Sequence, residues 1–127
     1  MNETNNKKII IVEDNKDFMW LLTHGFTKHG LPVIGAADGQ EGLQMAKKEH
    51  PDLMIIDILL PKMDGIAMAK AIREQGIKTK MIFLTNLKDA EHVSQAIDVA
   101  GNADYIIKSD TNIEAIVKRV KEKLGIK

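Results

Sequence analysis

Five side chains in this chain of 127 residues stand where chemistry is easiest to build. They are Glu13 and Asp14, Asp57, Thr85 and Lys108, each at or directly after the end of an apolar run. A carboxylate at the dry end of such a run is costly unless it is paired or metal-bound. If the runs end on one rim, three carboxylates meet and repel one another. A hard divalent cation taking oxygen ligands resolves that repulsion, and Mg²⁺ does so while keeping some of its waters. Lys108 adds a positive charge and Thr85 a hydroxyl donor. The set suits phosphoryl transfer. One carboxylate is the nucleophile, while cation, ammonium and hydroxyl hold the equatorial oxygens of the group in flight.

The elements that must bring these residues together are legible from hydrophobic periodicity. Lys8–Val12 is an unbroken β-branched run, the mark of a strand buried on both faces of a parallel sheet. The same signature recurs at Leu53–Ile56, Lys80–Leu84 and Ala103–Ile107. Leu31–Ala36 is weaker, and its Pro32 suits an edge strand. Between the runs lie helical patterns. Phe18, Leu21, Leu22, Gly25 and Phe26 share one face of a helix that stops at Gly30. Gly42–Glu49 is helical by composition. Ile66, Ala69 and Ile72 mark a third helix closing near Gly76, with Asp64-Gly65 as its turn and start. Ala90, Val93, Ile97 and Ala100 mark a fourth, ended by Gly101. Ile113, Ile116, Val117, Val120 and Leu124 mark a fifth, with Thr111 and Glu114 spaced as a capping box. Strand then helix, five times over, is a doubly wound α/β domain. Such sheets bind ligands at the carboxyl ends of their strands, where the strand order reverses.

Length and composition bound the rest. One domain of this size buries a core without disulfides or structural metal, and a chain with no cysteine has no thiol chemistry. Eighteen basic against 18 acidic residues argue against direct nucleic-acid binding. No apolar run is long enough for membrane insertion, and the first residues lack the apolar stretch of a signal peptide. A cytoplasmic protein is expected, with residues 1–7 a frayed terminus and 8–127 the domain. His24, His29, His50 and His92 show no ligand spacing, so zinc is not expected. Lys118, Arg119, Lys121 and Lys123 crowd the last helix, either as a solvated face favoured by the macrodipole or as a partner-facing patch. Trp20 points off its helix's apolar stripe, as a docking anchor or as a cover over a neighbouring side chain.

Four motifs in order give the chain a resemblance to a known family. They are Ile11-Val12-Glu13-Asp14, the stretch from Asp57 through Pro61-Lys62-Met63-Asp64-Gly65, Thr85, and Asp104-Tyr105-Ile106-Ile107-Lys108. Over nearly its whole length the chain resembles the CheY-like receiver domain of two-component response regulators, most of all the stand-alone type. The resemblance implies a flavodoxin-like (βα)5 three-layer sandwich with parallel strand order 2-1-3-4-5. It implies that Asp57 accepts a phosphoryl group from a histidine kinase or histidine phosphotransfer protein. Asp14, Asp57 and the backbone carbonyl of Leu59 would coordinate Mg²⁺, with Glu13 joining through water. Thr85 and Lys108 would hold the phosphoryl oxygens. Tyr105 would turn inward when Thr85 moves, changing the face of helix four, strand five and helix five that an unknown downstream target reads. Such a protein signals by binding and has no independent substrate.

The chain departs from the family pattern at four positions. Ser109 follows Lys108 where proline is usual; we expect a trans peptide there, with Ser109, Asp110 or Thr111 capping the last helix. Asn86 follows Thr85 where a small residue is usual, and its bulk is expected to crowd the phosphoryl group or the attacking water. Leu59 and Leu87 place apolar groups where others carry polar ones, which predicts slow autodephosphorylation. Rival chemistries fit poorly. A flavin phosphate would be repelled by Glu13 and Asp14, and no Gly-x-Gly-x-x-Gly follows the first strand. Leu59 stands where an aspartyl phosphatase of the haloacid dehalogenase type carries its second aspartate. The alternative from another class is a phosphorylation-independent protein-interaction module on the same fold.

Overall fold

Why the apolar runs are unbroken is plain from their surroundings in the computed structural model, which describes residues 7–127. β1 (Ile9–Val12) and β3 (Leu53–Ile56) are buried at every residue, and β4 (Lys80–Thr85) at all but its first. With β2 (Val33–Ala36) and β5 (Ala103–Ile107) they form one parallel sheet in the order β2-β1-β3-β4-β5. This is the expected flavodoxin-like order. The strands are interleaved with α1 (Lys16–Lys28), α2 (Gly39–Glu49), α3 (Gly65–Glu74), α4 (Ala90–Ala100) and α5 (Ile113–Leu124). The expected frayed terminus at residues 1–7 falls, apart from Lys7, outside the described residues. Among the described residues no helix is long and apolar enough to cross a membrane.

Alternation along the strands divides the interior into two cores. Ile10, Val12, Met54, Ile56, Met81 and Phe83 face one way and pack with Ala46 of α2, Met68 and Ile72 of α3, and Ala96 of α4. Their neighbours Ile9, Ile11, Leu53, Ile55, Ile82 and Leu84 face the other way, against Leu22 and Phe26 of α1 and Ile116 and Val120 of α5. Successive side chains of a strand point to opposite faces, so helices on both sides demand apolar residues at every position. Burying each such side chain contributes about 1.5–3 kcal/mol. β5 differs from expectation: it is half-buried along its whole length, because as an edge strand it has a neighbour on one flank only.

All five helices start on an Asn or Asp whose side chain accepts the N–H three residues on: Asn15, Asp38, Asp64, Asp89 and Asn112. Such caps satisfy donors that the helix leaves free. They also correct the boundaries read from sequence. Asp38 starts α2 at Gly39, three residues before the expected Gly42. Asn112, not Thr111 or an earlier residue, caps α5. Residues Lys108–Asp110 form a 3₁₀ turn and Thr111 is extended, so the chain enters the helix one step later and the Thr111–Glu114 box does not form. In α4 the buried residues are Ala96 and Ala100, with Val99 against the core, while Val93 and Ile97 of the expected stripe are half-buried. Leu21, expected on the α1 stripe, is 45% exposed.

Two glycines let the loop after β3 lie close. A Cβ on Gly65 would sit 2.2 Å from the Asp57 carbonyl oxygen, and one on Gly39 would sit 1.9 Å from the Met63 carbonyl oxygen. Both obstacles are main chain and cannot rotate away. Gly65→Ala is therefore expected to cost about 1–3 kcal/mol, the range for overpacking a close contact. Urea denaturation measures it, and a midpoint equal to that of the unmodified protein would mean the loop has room to yield.

Candidate functional site

Sheet register delivers the candidate residues to one rim. Val12 of β1 lies beside Ile56 of β3, and Glu13 and Asp57 are the next residues along. Ile56 in turn lies beside Phe83, two residues before Thr85, and Thr85 lies beside Ile107, one residue before Lys108. The backbones of both acids are fixed one step past their strands: the Glu13 N–H donates to the Ala36 carbonyl at 2.9 Å and the Asp57 N–H to the Val12 carbonyl at 3.1 Å. Parallel strands all reach the same edge, so residues as far apart in sequence as Val12 and Ile56 end side by side.

The result is a dense charge cluster. Carboxylate oxygens of Glu13, Asp14 and Asp57 lie within 4.8 Å of one another. Glu13 and Asp57 are buried, and Asp14 is exposed. The Lys108 ammonium donates to Asp57 Oδ2 at 2.8 Å and pairs with Glu13 Oε1 at 2.7 Å. Its third side faces the Phe18 ring, 4.6 Å from the centroid, a favourable arrangement for a partly desolvated cation. Burial pushes the Glu13 carboxyl above its usual range, against the pull of the Lys108 ammonium and the Asn15 N–H. Burial works to lower the Lys108 pKa, but bonding to Asp57 and Glu13 outweighs it, and the ammonium is held above its ordinary value. One ammonium, paired with two of the three carboxylates, leaves a formal surplus of two negative charges. Hard oxygen donors with that surplus fit a divalent metal ion, which Glu13, Asp14 and Asp57 could hold.

The flanking residues fall on either side of this cluster. Thr85 is fully buried, and its Oγ1 accepts the Leu87 N–H at 3.5 Å. Tyr105 is half-buried, tilted against Phe83, and its hydroxyl donates to the Leu87 carbonyl at 2.7 Å. The Leu59 N–H donates to Asp57 Oδ1 at 3.3 Å, while the Leu59 side chain is 61% exposed. Leu87 instead packs half-buried against the core, so of the two leucines singled out in the sequence only Leu59 is solvent-facing. Asn86 turns its amide oxygen to the Ser109 N–H. The Lys108–Ser109 peptide is trans, as expected. Trp20 is 64% exposed and lies stacked on His24, the covering role weighed for it. Arg119 and Lys123, from the basic stretch of α5, pair with Asp104 at 3.6 and 3.5 Å.

Two contributors were not apparent as site residues. Phe18 reads in the sequence as core, yet its ring meets an ammonium 90 positions later. Asn15 caps α1 and also donates its own N–H to Glu13 Oε2 at 2.9 Å, and its type at a helix start was the available signal.

Comparison with known proteins agrees with this geometry. The sequence profile of the response regulator receiver domain matches residues 9–121. The chain is 38% identical over 117 residues to the alkaline phosphatase synthesis transcriptional regulatory protein PhoP of Bacillus subtilis, covering 91% of this chain and 48% of PhoP. It is similar to the solved receiver domain of the Francisella response regulator 1452, at 28% identity and a TM-score of 0.86 over 94% of this chain and 98% of that one. It is also similar to the BeF3-activated DrrB receiver domain, at 28% identity and a TM-score of 0.81 over 94% and 97%. The chain spans about half the length of the curated relatives it matches.

A cation held by the three acids stabilises the fold by mass action, by about 1.4 kcal/mol at ten times its Kd. Thermal melts with and without Mg²⁺ should show that gain in the unmodified protein. Asp14→Asn should abolish most of it, with little change in the metal-free melt because Asp14 is exposed. An equal gain in both proteins would put the cation elsewhere.

Proposed function

The chain belongs to the response regulator receiver domain family, and from that premise we propose that it is a phosphoacceptor whose modified residue is Asp57. The observation that carries this reading is the Lys108 ammonium, 2.7–2.8 Å from both Glu13 and Asp57, in a cluster with a third carboxylate. A purely adhesive surface has no need to gather three acids at a buried rim. The proposed domain runs over residues 8–127.

An Asp57 carboxylate oxygen attacks the phosphorus of a phosphohistidine on a histidine kinase or phosphotransfer protein. The new O–P bond forms as the P–N bond breaks, and the electron pair stays on the imidazole nitrogen of the donor. Asp14, Asp57 and the Leu59 carbonyl would hold Mg²⁺, with Glu13 acting through water. The bound ion supplies charge neutralisation for the phosphoryl oxygens. Lys108 passes from a carboxylate oxygen to a phosphoryl oxygen, and Thr85 donates its hydroxyl to another. Thr85 gives up its contact with the Leu87 N–H in doing so, and Leu87 carries the carbonyl that anchors Tyr105. That shared residue links the site to α4, β5 and α5, the surface a downstream protein reads. The phosphoryl group favours one of two arrangements through its differential contacts. On this reading the chain is a cytoplasmic signalling protein that promotes its own phosphorylation and dephosphorylation.

Incubation with acetyl phosphate and Mg²⁺ should add about 80 Da, the mass of one phosphoryl group, to the unmodified protein and nothing to Asp57→Asn. No adduct, together with no metal-dependent stabilisation, would return the chain to a phosphorylation-independent interaction module. The exposed Leu59 side chain gives an attacking water no hydrogen-bond partner, so Leu59→Asn should shorten the adduct's lifetime severalfold. A lifetime as long as before would remove the leucine from any role in hydrolysis.

A further inference from the structure

We infer that Asn86 is a positioning residue for Lys108, acting through a clasp on the main chain of Ser109. This rests on the phosphoacceptor reading above and says how that site keeps its lysine in place. The chain leaves β5 into a 3₁₀ turn, Lys108–Asp110. The first N–H groups of a helical turn have no partner within it and are ordinarily met by the side chain of the preceding residue. Here that residue is Ile107, which has no acceptor, and it makes no capping bond. The acceptor comes from another loop. Asn86 Oδ1 receives the Ser109 N–H at 3.0 Å, across 23 positions of sequence. A main-chain N–H can only donate, so the amide must meet it with its oxygen, and the orientation of Asn86 is fixed.

Each end of this bond adjoins a side chain of the site. Asn86 follows Thr85, and Ser109 follows Lys108. The ladder between β4 and β5 closes at Thr85 beside Ile107. The clasp ties the two chains beyond that last rung, where strand pairing no longer does so. The tip of Lys108 is held by two carboxylates and the Phe18 ring. The clasp holds its root. A fixed root lets the ammonium exchange a carboxylate oxygen for a phosphoryl oxygen without the loop having to move. Asn86 also lines a cleft of about 480 Å3 with Phe18, Leu21, Lys108 and Ser109. Direct contact with an incoming donor is therefore the competing role for it.

Two measurements on the full chain separate these roles. In NMR spectra the Phe18 ring, 4.6 Å from the Lys108 ammonium, should displace the Lys108 side-chain protons upfield. Asn86→Ala should erase that displacement and speed Ser109 amide exchange about tenfold, the effect of losing one hydrogen bond. Asn86→Asp keeps an acceptor and should restore the displacement. If Asn86→Ala does not fold, Ser109→Pro removes the donor instead and is read by the same displacement. An unchanged Lys108 signal overturns the inference, whether or not the protein accepts a phosphoryl group. The second measurement is the rate of phosphorylation by acetyl phosphate at saturating Mg²⁺. Asn86→Ala should slow it roughly tenfold in the native background, as small misplacements at reacting groups do. It should add nothing in a Lys108→Ala background, because a residue acting through Lys108 has nothing left to position. An equal loss in both backgrounds overturns the inference in favour of direct contact with the donor. An unmodified protein that takes no adduct counts against the phosphoacceptor reading, and the Lys108 signal then decides the clasp by itself.

Discussion

The ammonium of Lys108 lies between two buried carboxylates, and much of the molecule is arranged around that contact. Glu13 follows β1, Asp57 follows its neighbour β3 at the centre of the sheet, and Lys108 follows the edge strand two places further along. Parallel pairing brings the three onto one rim, and the strand order sets β1 and β3 side by side there. The helices on each face then exclude water from the strands beneath, and dryness gives the ion pair its strength and the surplus charge its cost. A buried pair of this kind is weak evidence for stability, since desolvating both partners offsets most of the attraction. Its retention beside a third acid makes more sense as chemistry held ready than as a structural tie.

That readiness is shared with the loops. Leu87 meets both Thr85 and Tyr105, through its N–H and its carbonyl respectively. Thr85 at the rim and the aromatic residue on the outer strand are therefore joined through one short segment of main chain. The loop after β3 is held differently, by close main-chain approach at Gly39 and Gly65 and by an ion pair from Lys62 to Asp38. The loop after β3 thus rests on steric fit, and the lysine side of the site on hydrogen bonds.

Much of this was legible in the sequence, for identifiable reasons. Strands covered on both faces need apolar residues at every position, so β1, β3 and β4 stand out as unbroken runs. Acids placed one residue after such runs are conspicuous because nothing apolar explains them. Helix ends were less legible. Ser109, Asp110, Thr111 and Asn112 are all competent caps, and which one serves depends on the 3₁₀ turn that precedes them. Contacts between distant loops were not legible at all. Asn86 and Ser109 each look like a defect when read alone, and their complementarity exists only once β4 and β5 lie side by side. Phe18 carries the spacing of a core residue, and helical periodicity has no means of marking that its outer edge meets a cation. The half-burial of β5 depended on its place at the sheet edge, which composition does not reveal.

The position of β1 between β2 and β3 has a consequence for how the protein comes off the ribosome. By the time residue 57 has been added to the chain, three adjacent strands and all three acids have been made, while Lys108 is still some 50 residues from being translated. The nascent chain therefore carries its carboxylates without their intramolecular counter-ion, and the repulsion among them opposes closing that rim early. Until β5 docks at the edge, the Lys108 ammonium is absent from the rim. Within this domain the last strand thus brings to the rim the charge that pairs with the acid after the first, an arrangement suited to folding of the domain as one unit.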